Sequence, residues 1–436
     1  MTRKEKYSDS SSVESIDRLR RVLIVSHSFP PLNNIAARRY GWMTAYMEQF
    51  GWKPYVLTAH SEGALAVNIP SNQVIRIGEH HQAKAKIDEN YYKWKTDINP
   101  AINIIRNVSK TRLLSFDASV FGWYSVVRKN FENLMSQLPK LDFIIGSYKP
   151  SASHLIARKL SSRLNVPWIA DFRDMGALRN FKSNRFIRWA DIQVEKKIVG
   201  SASGVTSVSK QLTDGLSKTH GKPGRVIYNG FHDPSTISRD SSDDKEIYKS
   251  GKNYLHYAGR IGRDLLEPIE ILLKSISELN DIEVVFRSLG PESQNRSIRS
   301  LSKQYDIDEN VKILPPVSPE IVIEEQKYAL ANLVFVEVNQ NSRWGIGELT
   351  GKFLQLLPGK VPVLSICRPD NEMTEILNAT KRGKTCSTSD QVTEFLRQAK
   401  KDPGLFHGQD KEVNFYSTRS QAQNLCDFLD SMVAQL

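Results

Sequence analysis

The chain has 436 residues, 40% of them hydrophobic and 25% charged, with 60 Lys and Arg against 48 Asp and Glu for a net charge of +12. That length is more than one hydrophobic core fills, so two domains are expected, and the ordinary apolar content excludes a wholly disordered chain. The three cysteines, Cys367, Cys386 and Cys426, form no Cys-x-x-Cys pair, which excludes a disulfide scaffold and a cysteine-based zinc site and fits a reducing cytoplasm.

Residues 1–19 are polar and serine-rich. They read as a flexible tail, not as a signal peptide. No stretch approaches the roughly 18 apolar residues that cross a bilayer. The charge is uneven: residues 1–250 hold 38 Lys and Arg against 23 Asp and Glu, an excess of +15, and the rest carries −3. A basic first half suits anionic partners such as phospholipid headgroups or a lipid-linked phosphate; the bland alternative is a merely soluble basic surface.

In chain order, RVLIVS at 21–26 is an apolar run of buried-strand type, followed by a Pro-Pro loop, a helix over 36–50 stopped by Gly51, and a strand over 52–58. Strands at 143–147, 166–170 and 204–208 alternate with helices over 151–164 and up to Val199, and 225–228 closes the half. Residues 232–252 are rich in Ser, Asp and Lys and read as a linker. A second series places strands at 254–258, 283–286, 311–314, 333–336 and 361–365, with helices between them and a last helix over 417–436. The domains are therefore a tail at 1–19, a Rossmann-like domain at 20–231, a linker at 232–252, a second Rossmann-like domain at 253–415 and a C-terminal helix at 416–436. Such α/β, doubly wound halves face each other across a cleft, with ligands at the carboxyl ends of their strands.

The loops after strands carry the candidate chemistry. In WGIGELTGKFLQLLPGKVPVL at 344–364, the glycines allow close backbone approach and Thr350 is a plausible N-cap for a helix over 351–357. Free amides at that helix start, with Lys352 beside them, suit a diphosphate. Asp171, Arg173 and Asp174 follow a strand and face the expected cleft; a salt-bridged structural cluster is the competing reading. His27 follows the first strand and is either a cleft residue or a satisfied loop histidine. His154, near a helix start, reads as structural. The Asp306-x-Asp308 pair lies away from the cleft loops, and no other metal-ligand cluster stands out. Residues 179–197 interleave Arg179, Lys182, Arg185, Arg188, Lys196 and Lys197 with Phe181, Phe186, Trp189 and Ile192, which suits either an anionic membrane surface or a packed basic helix. Tyr91, Tyr92 and Trp94 read as packing for an insertion.

The ordered set of these motifs, spanning about residues 20–400, resembles family-four glycosyltransferases of bacterial polysaccharide-biosynthesis type. These are retaining enzymes of the GT-B fold. The matching segments are RVLIVSHSFPP at 21–31, GWKPYVLT at 51–58, IADFRD at 169–174, VTSVS at 205–209, VIYNGF at 226–231, YAG at 257–259 and TGKFLQL through GKVPVL at 350–364. The resemblance implies transfer of a sugar from a nucleoside-diphosphate sugar to a glycan or lipid-linked acceptor, with retention of configuration and no metal or other cofactor. It places the donor at Arg260, Arg263, Thr350, Gly351, Lys352 and Gln355, the acceptor-side loop at His27, Asn33 and Asn34, and the catalytic group at Asp171, Arg173 and Asp174, with Asp171 orienting the acceptor or the transferred sugar. The cysteine usage and the basic first half, for their part, suggest a cytoplasmic protein, peripheral at the inner face of the membrane.

Four positions depart from the family pattern. Gln355 replaces a Glu that binds ribose hydroxyls. Leu265 falls at a usual basic position. Asn33-Asn34 replaces a glycine-rich turn, which asparagine can support through its tolerance of the left-handed region. Met175-Gly176 replaces Pro-Trp. Alternatives are a noncatalytic, transferase-derived scaffold, or a nucleotide-sugar epimerase, which would need a carboxylate pair near the sugar. No nucleic-acid-binding signature accompanies the positive charge.

Overall fold

The computed structural model describes residues 18–79, 122–174, 176–179, 185–232, 248–279, 281–339, 347 and 349–435. The aromatic cluster at Tyr91, Tyr92 and Trp94, the residues Met175, Phe181 and Lys182, the side chain of Arg179, most of the linker, and the stretch from Trp344 to Ile346 lie outside them.

The first lobe is built on seven parallel strands: β1 (Arg20–Val25), β2 (Trp52–His60), β3 (Val74–Glu79), β4 (Phe143–Tyr148), β5 (Trp168–Phe172), β6 (Gly204–Ser207) and β7 (Gly224–Val226). Their spatial order is β3-β2-β1-β4-β5-β6-β7. The order reverses between β1 and β4, which makes their carboxyl ends the expected ligand crevice. Helix α1 (Ile35–Met47) follows β1, α2 (Trp123–Lys129) and α3 (Phe131–Gln137) precede β4, and α4 (Ala152–Leu164), α5 (Arg185–Val199) and α6 (Lys210–His220) follow β4, β5 and β6. Because helices cover both faces, the central strands are apolar throughout: Val22 to Val25 are all fully buried.

The second lobe has six parallel strands: β8 (Asn253–Gly259), β9 (Ile282–Ser288), β10 (Val311–Leu314), β11 (Ala331–Phe335), β12 (Val363–Ile366) and β13 (Gly383–Cys386). They are ordered β10-β9-β8-β11-β12-β13, so the order reverses between β8 and β11. The helices are α7 (Leu266–Ser277), α8 (Glu292–Gln304), α9 (Pro319–Tyr328), α10 (Gly351–Leu356), α11 (Glu372–Thr380), α12 (Ser389–Lys401), α13 (Asp410–Asn414) and α14 (Thr418–Val433).

The last helix crosses back. Ala422, Leu425, Cys426, Phe428, Leu429 and Met432 of α14 join one core with Val22, Ile24, Tyr40, Met43 and Met47 of the first lobe. The chain therefore ends on the lobe where it began. No helix among the described residues is long and apolar enough to cross a membrane.

Candidate functional site

One cavity opens at the carboxyl ends of β8 and β11, where the order of the second sheet reverses, and another opens between the lobes. The first, about 360 Å³, is lined by Tyr257, Arg260, Gly262, Asp264, Leu265, Val334, Phe335, Thr350 and Lys352. The second, about 260 Å³, is walled by both lobes: Ile35, Arg38, Arg39 and Trp42 of α1, Asn229 and Gly230 of the connection, and Gly351, Lys352 and Gln355 of α10. Lys352 belongs to both.

Local chemistry sets that lysine. Thr350 is the N-cap of α10, its hydroxyl accepting the Phe353 amide at 3.4 Å. This points Lys352 across the end of β8. Its ammonium lies 4.5 Å from the Tyr257 ring centroid and 3.1 Å from the Tyr257 hydroxyl, which accepts from it. Gly259 (φ +147°) makes room: a Cβ there would fall 1.7 Å from Lys352 Nζ. The residue as a whole is exposed, but its packed amino end loses hydration, and burial pushes its pKa down to about 8. An anion arriving there restores what burial removes. Gly259→Ala is therefore expected to displace the ammonium and weaken binding of an anion such as pyrophosphate by about tenfold, measured by calorimetry, with circular dichroism unchanged; unaltered affinity would disconnect Gly259 from the site.

Of the two arginines predicted beside this strand, Arg260 lines the first cavity and Arg263, exposed in a short 3-10 turn, lines neither. Leu265, at the family's usual basic position, lines the first cavity. Thr350, Gly351, Lys352 and Gln355 all border the cavities. Thr350 already satisfies one amide of the helix start, and α10 is only six residues long, so the ammonium of Lys352, more than the helix end, supplies the positive charge.

The acceptor-side expectations change more. Asp171 is fully buried beneath the crevice, not open to it. Its carboxylate accepts from Arg39 Nη2 (2.7 Å) and Nε (3.2 Å), Thr206 Oγ1 (2.8 Å) and Ser147 Oγ (3.0 Å). Burial acts to raise its pKa, but the Arg39 charge and these hydrogen bonds outweigh that and hold it below the ordinary value. The arrangement is the salt-bridged cluster, and Asp171 positions β4, β5, β6 and α1 instead of presenting an oxygen to a ligand. Arg39 extends the cluster to the connection, donating to the Ile227 carbonyl at 2.8 Å and Asn229 Oδ1 at 3.2 Å.

Arg173 donates to the carbonyls of Tyr148 (2.8 Å) and Lys149 (2.6 Å), and burial lowers its pKa to about 10. It braces the turn after β4. Asp174 is half-buried at the same strand end. His27 is buried, its ring edge-on to Trp123 at 4.9 Å, and lines neither cavity. Asn34 is not in the left-handed region: at φ −135° it is the extended N-cap of α1, accepting the Ala37 amide at 2.8 Å. Asn33 accepts from Arg38 Nε at 2.9 Å. His154 is buried against Phe172 and near the Asp171 carbonyl (3.2 Å); burial lowers its pKa to about 4, so it is neutral. Among the described residues no group of three or more His, Cys, Asp or Glu could hold a metal ion.

The α1 face and Glu372 are functional elements beyond those expected from the sequence. Arg39 falls among the buried positions Ala37, Tyr40 and Met43, and an arginine there signals a buried carboxylate partner. Glu372 joins the lobes: it accepts from Tyr228 Oη at 2.6 Å and from the Lys210 amide at 2.7 Å.

No family model matches the chain, and no curated protein matches its sequence. Solved structures do match in fold. Sucrose-phosphate synthase from Thermosynechococcus elongatus superposes with a TM-score of 0.61 at 13% identity, covering 96% of this chain and 100% of that one. HepE of Anabaena, solved with UDP and glucose, gives 0.58 at 12%, covering 94% and 100%. A protein of Listeria monocytogenes described as a UDP-N-acetylglucosamine 2-epimerase gives 0.50 at 12%, covering 95% and 97%. The chain thus has the GT-B fold, two parallel-sheet α/β lobes facing a cleft.

Proposed function

We propose that this chain transfers a sugar from a nucleoside-diphosphate donor to a glycan or lipid-linked acceptor, with retention of configuration. The observation that carries the reading is Lys352, an ammonium shared by two cavities, one at the reversal point of the second sheet and one walled by both lobes. A donor laid across it places its diphosphate against Lys352 and Arg260. These charges neutralise the leaving nucleoside diphosphate as the bond to the sugar breaks, which is where preorganised electrostatics act most. HepE binds UDP and glucose in the same fold, which supports a nucleotide-sugar donor here. Retention would be read from the anomeric proton of the product.

The test is incubation with UDP-, GDP- and ADP-sugars. Release of the free nucleoside diphosphate is expected. A change of configuration within the sugar and no release would favour epimerisation, and no binding of any nucleotide would favour a scaffold.

The reading includes action in the cytoplasm at an anionic membrane face. Phe186 and Trp189 of α5 are 69% and 57% exposed, their rings 5.8 Å apart. Arg185, Lys196 and Lys197 are exposed on the same helix, which buries Asp191 and Glu195 on its opposite side. Apolar rings flanked by cations fit a bilayer of anionic lipid. The double variant F186A/W189A is expected to lower co-sedimentation with phosphatidylglycerol vesicles by at least about tenfold. Added salt should weaken wild-type binding. Equal binding of both proteins would remove the membrane from the reading.

A further inference from the structure

The amide of Gln355 does something a glutamate there could not. Its Nε2 donates to the carbonyl of Gly230 at 2.9 Å, from α10 to the connection between the lobes. Gly230 has φ +71°, and a Cβ on it would lie 2.9 Å from the Thr418 backbone. The next residue is pinned too: the Phe231 amide donates to Tyr416, and the Thr418 amide to Phe231. Just before it, Asn229 accepts from Arg39. Gly230 is thus a left-handed hinge residue whose carbonyl direction is fixed from the second lobe. Lys352 stands one turn before Gln355 and lines the same cavity.

We propose that Gln355 is a positioning residue that fixes the hinge at Gly230 and so sets the second lobe, with Lys352, against α1. A carboxylate at 355 would put a charged acceptor against a carbonyl oxygen and leave both without a proton between them. A protonated carboxyl, by contrast, supplies an O–H donor of nearly the same shape. The role of the hinge does not depend on which ligand binds; its effect on a nucleotide rests on the reading above.

The experiment compares wild type with Gln355→Glu. Small-angle scattering of the free proteins should show a larger radius of gyration for Q355E at pH 7.5, returning to the wild-type value as the pH falls toward 5. Calorimetry with UDP should show about tenfold weaker binding by Q355E at pH 7.5, recovered in acid relative to wild type. If residue 355 served the ribose hydroxyls directly, the carboxylate would bind UDP more tightly, the opposite sign, and the proposal would fall. Unchanged scattering would overturn it as well. Wild type that binds no UDP, with Q355E still expanding and still recovering in acid, would remove the donor reading and leave the hinge role standing.

Discussion

Lys352→Ala is expected to weaken nucleoside diphosphate binding by about 100-fold at neutral pH, close to 2.8 kcal/mol, with the fold intact. The size follows from the site. The ammonium faces two cavities, and its only hydrogen-bond acceptor among the described contacts is a phenol oxygen, not a carboxylate. The pH dependence gives the sign. Burial holds the group near 8, so wild-type affinity should fall between about pH 7 and pH 9 as the proton leaves, and the variant should be flat there. Stability runs the other way. Above pH 8 the unfolded chain keeps a proton that the folded chain has lost, so this residue's contribution to stability rises with pH. Calorimetry beside thermal melts separates the two. A variant that binds as wild type does would mean the phosphates lie elsewhere.

Asp171→Ala is expected to cost about 3–5 kcal/mol of stability, the penalty for leaving Arg39 buried without its counter-charge. Both side chains of the pair are completely inaccessible. Removing both, as Arg39→Met with Asp171→Leu, should cost much less than either change alone, a coupling that urea melts of the four proteins would measure. Because the Asp171 pKa is depressed, its stabilisation is present above the ordinary carboxylate value near pH 4 and is lost as the pH falls through the folded value. The Ala variant should lack that acid step. A small loss for the single variant would show that the cluster is not what binds α1 to the sheet.

Most of the frame is legible in the residues. Runs such as RVLIV and NLVF have no polar alternation because helices cover both sides of each sheet, so β1 and β11 announce themselves. β3 and β13 are not legible in the residues, for physical reasons. β3 is an edge strand at the outer end of its sheet, and β13 (GKTC) has a single buried apolar residue, Cys386. Thr350, Gly351, Lys352 and Gln355 come together at the cavities because they are neighbours in sequence, on one short helix and its cap. The two readings of Asp171 cannot be separated locally, because its partner lies 132 residues away and nothing nearby in sequence tells a strand-end carboxylate in a cleft from one sealed beneath it. Asn34 and Gln355 are similar cases. Asn34 has the chemistry of a turn residue and acts as a cap. Gln355 reads as a weakened glutamate and acts as a donor to a residue 125 positions away.

A crystal structure of the protein with the nucleoside diphosphate it binds best tests the central claim most directly. The expected result is a pair of phosphates within hydrogen-bond reach of Lys352 Nζ, beside Arg260 and between α1 and α10. A nucleotide seated with its phosphates away from Lys352, or on one lobe with the other turned aside, would contradict it.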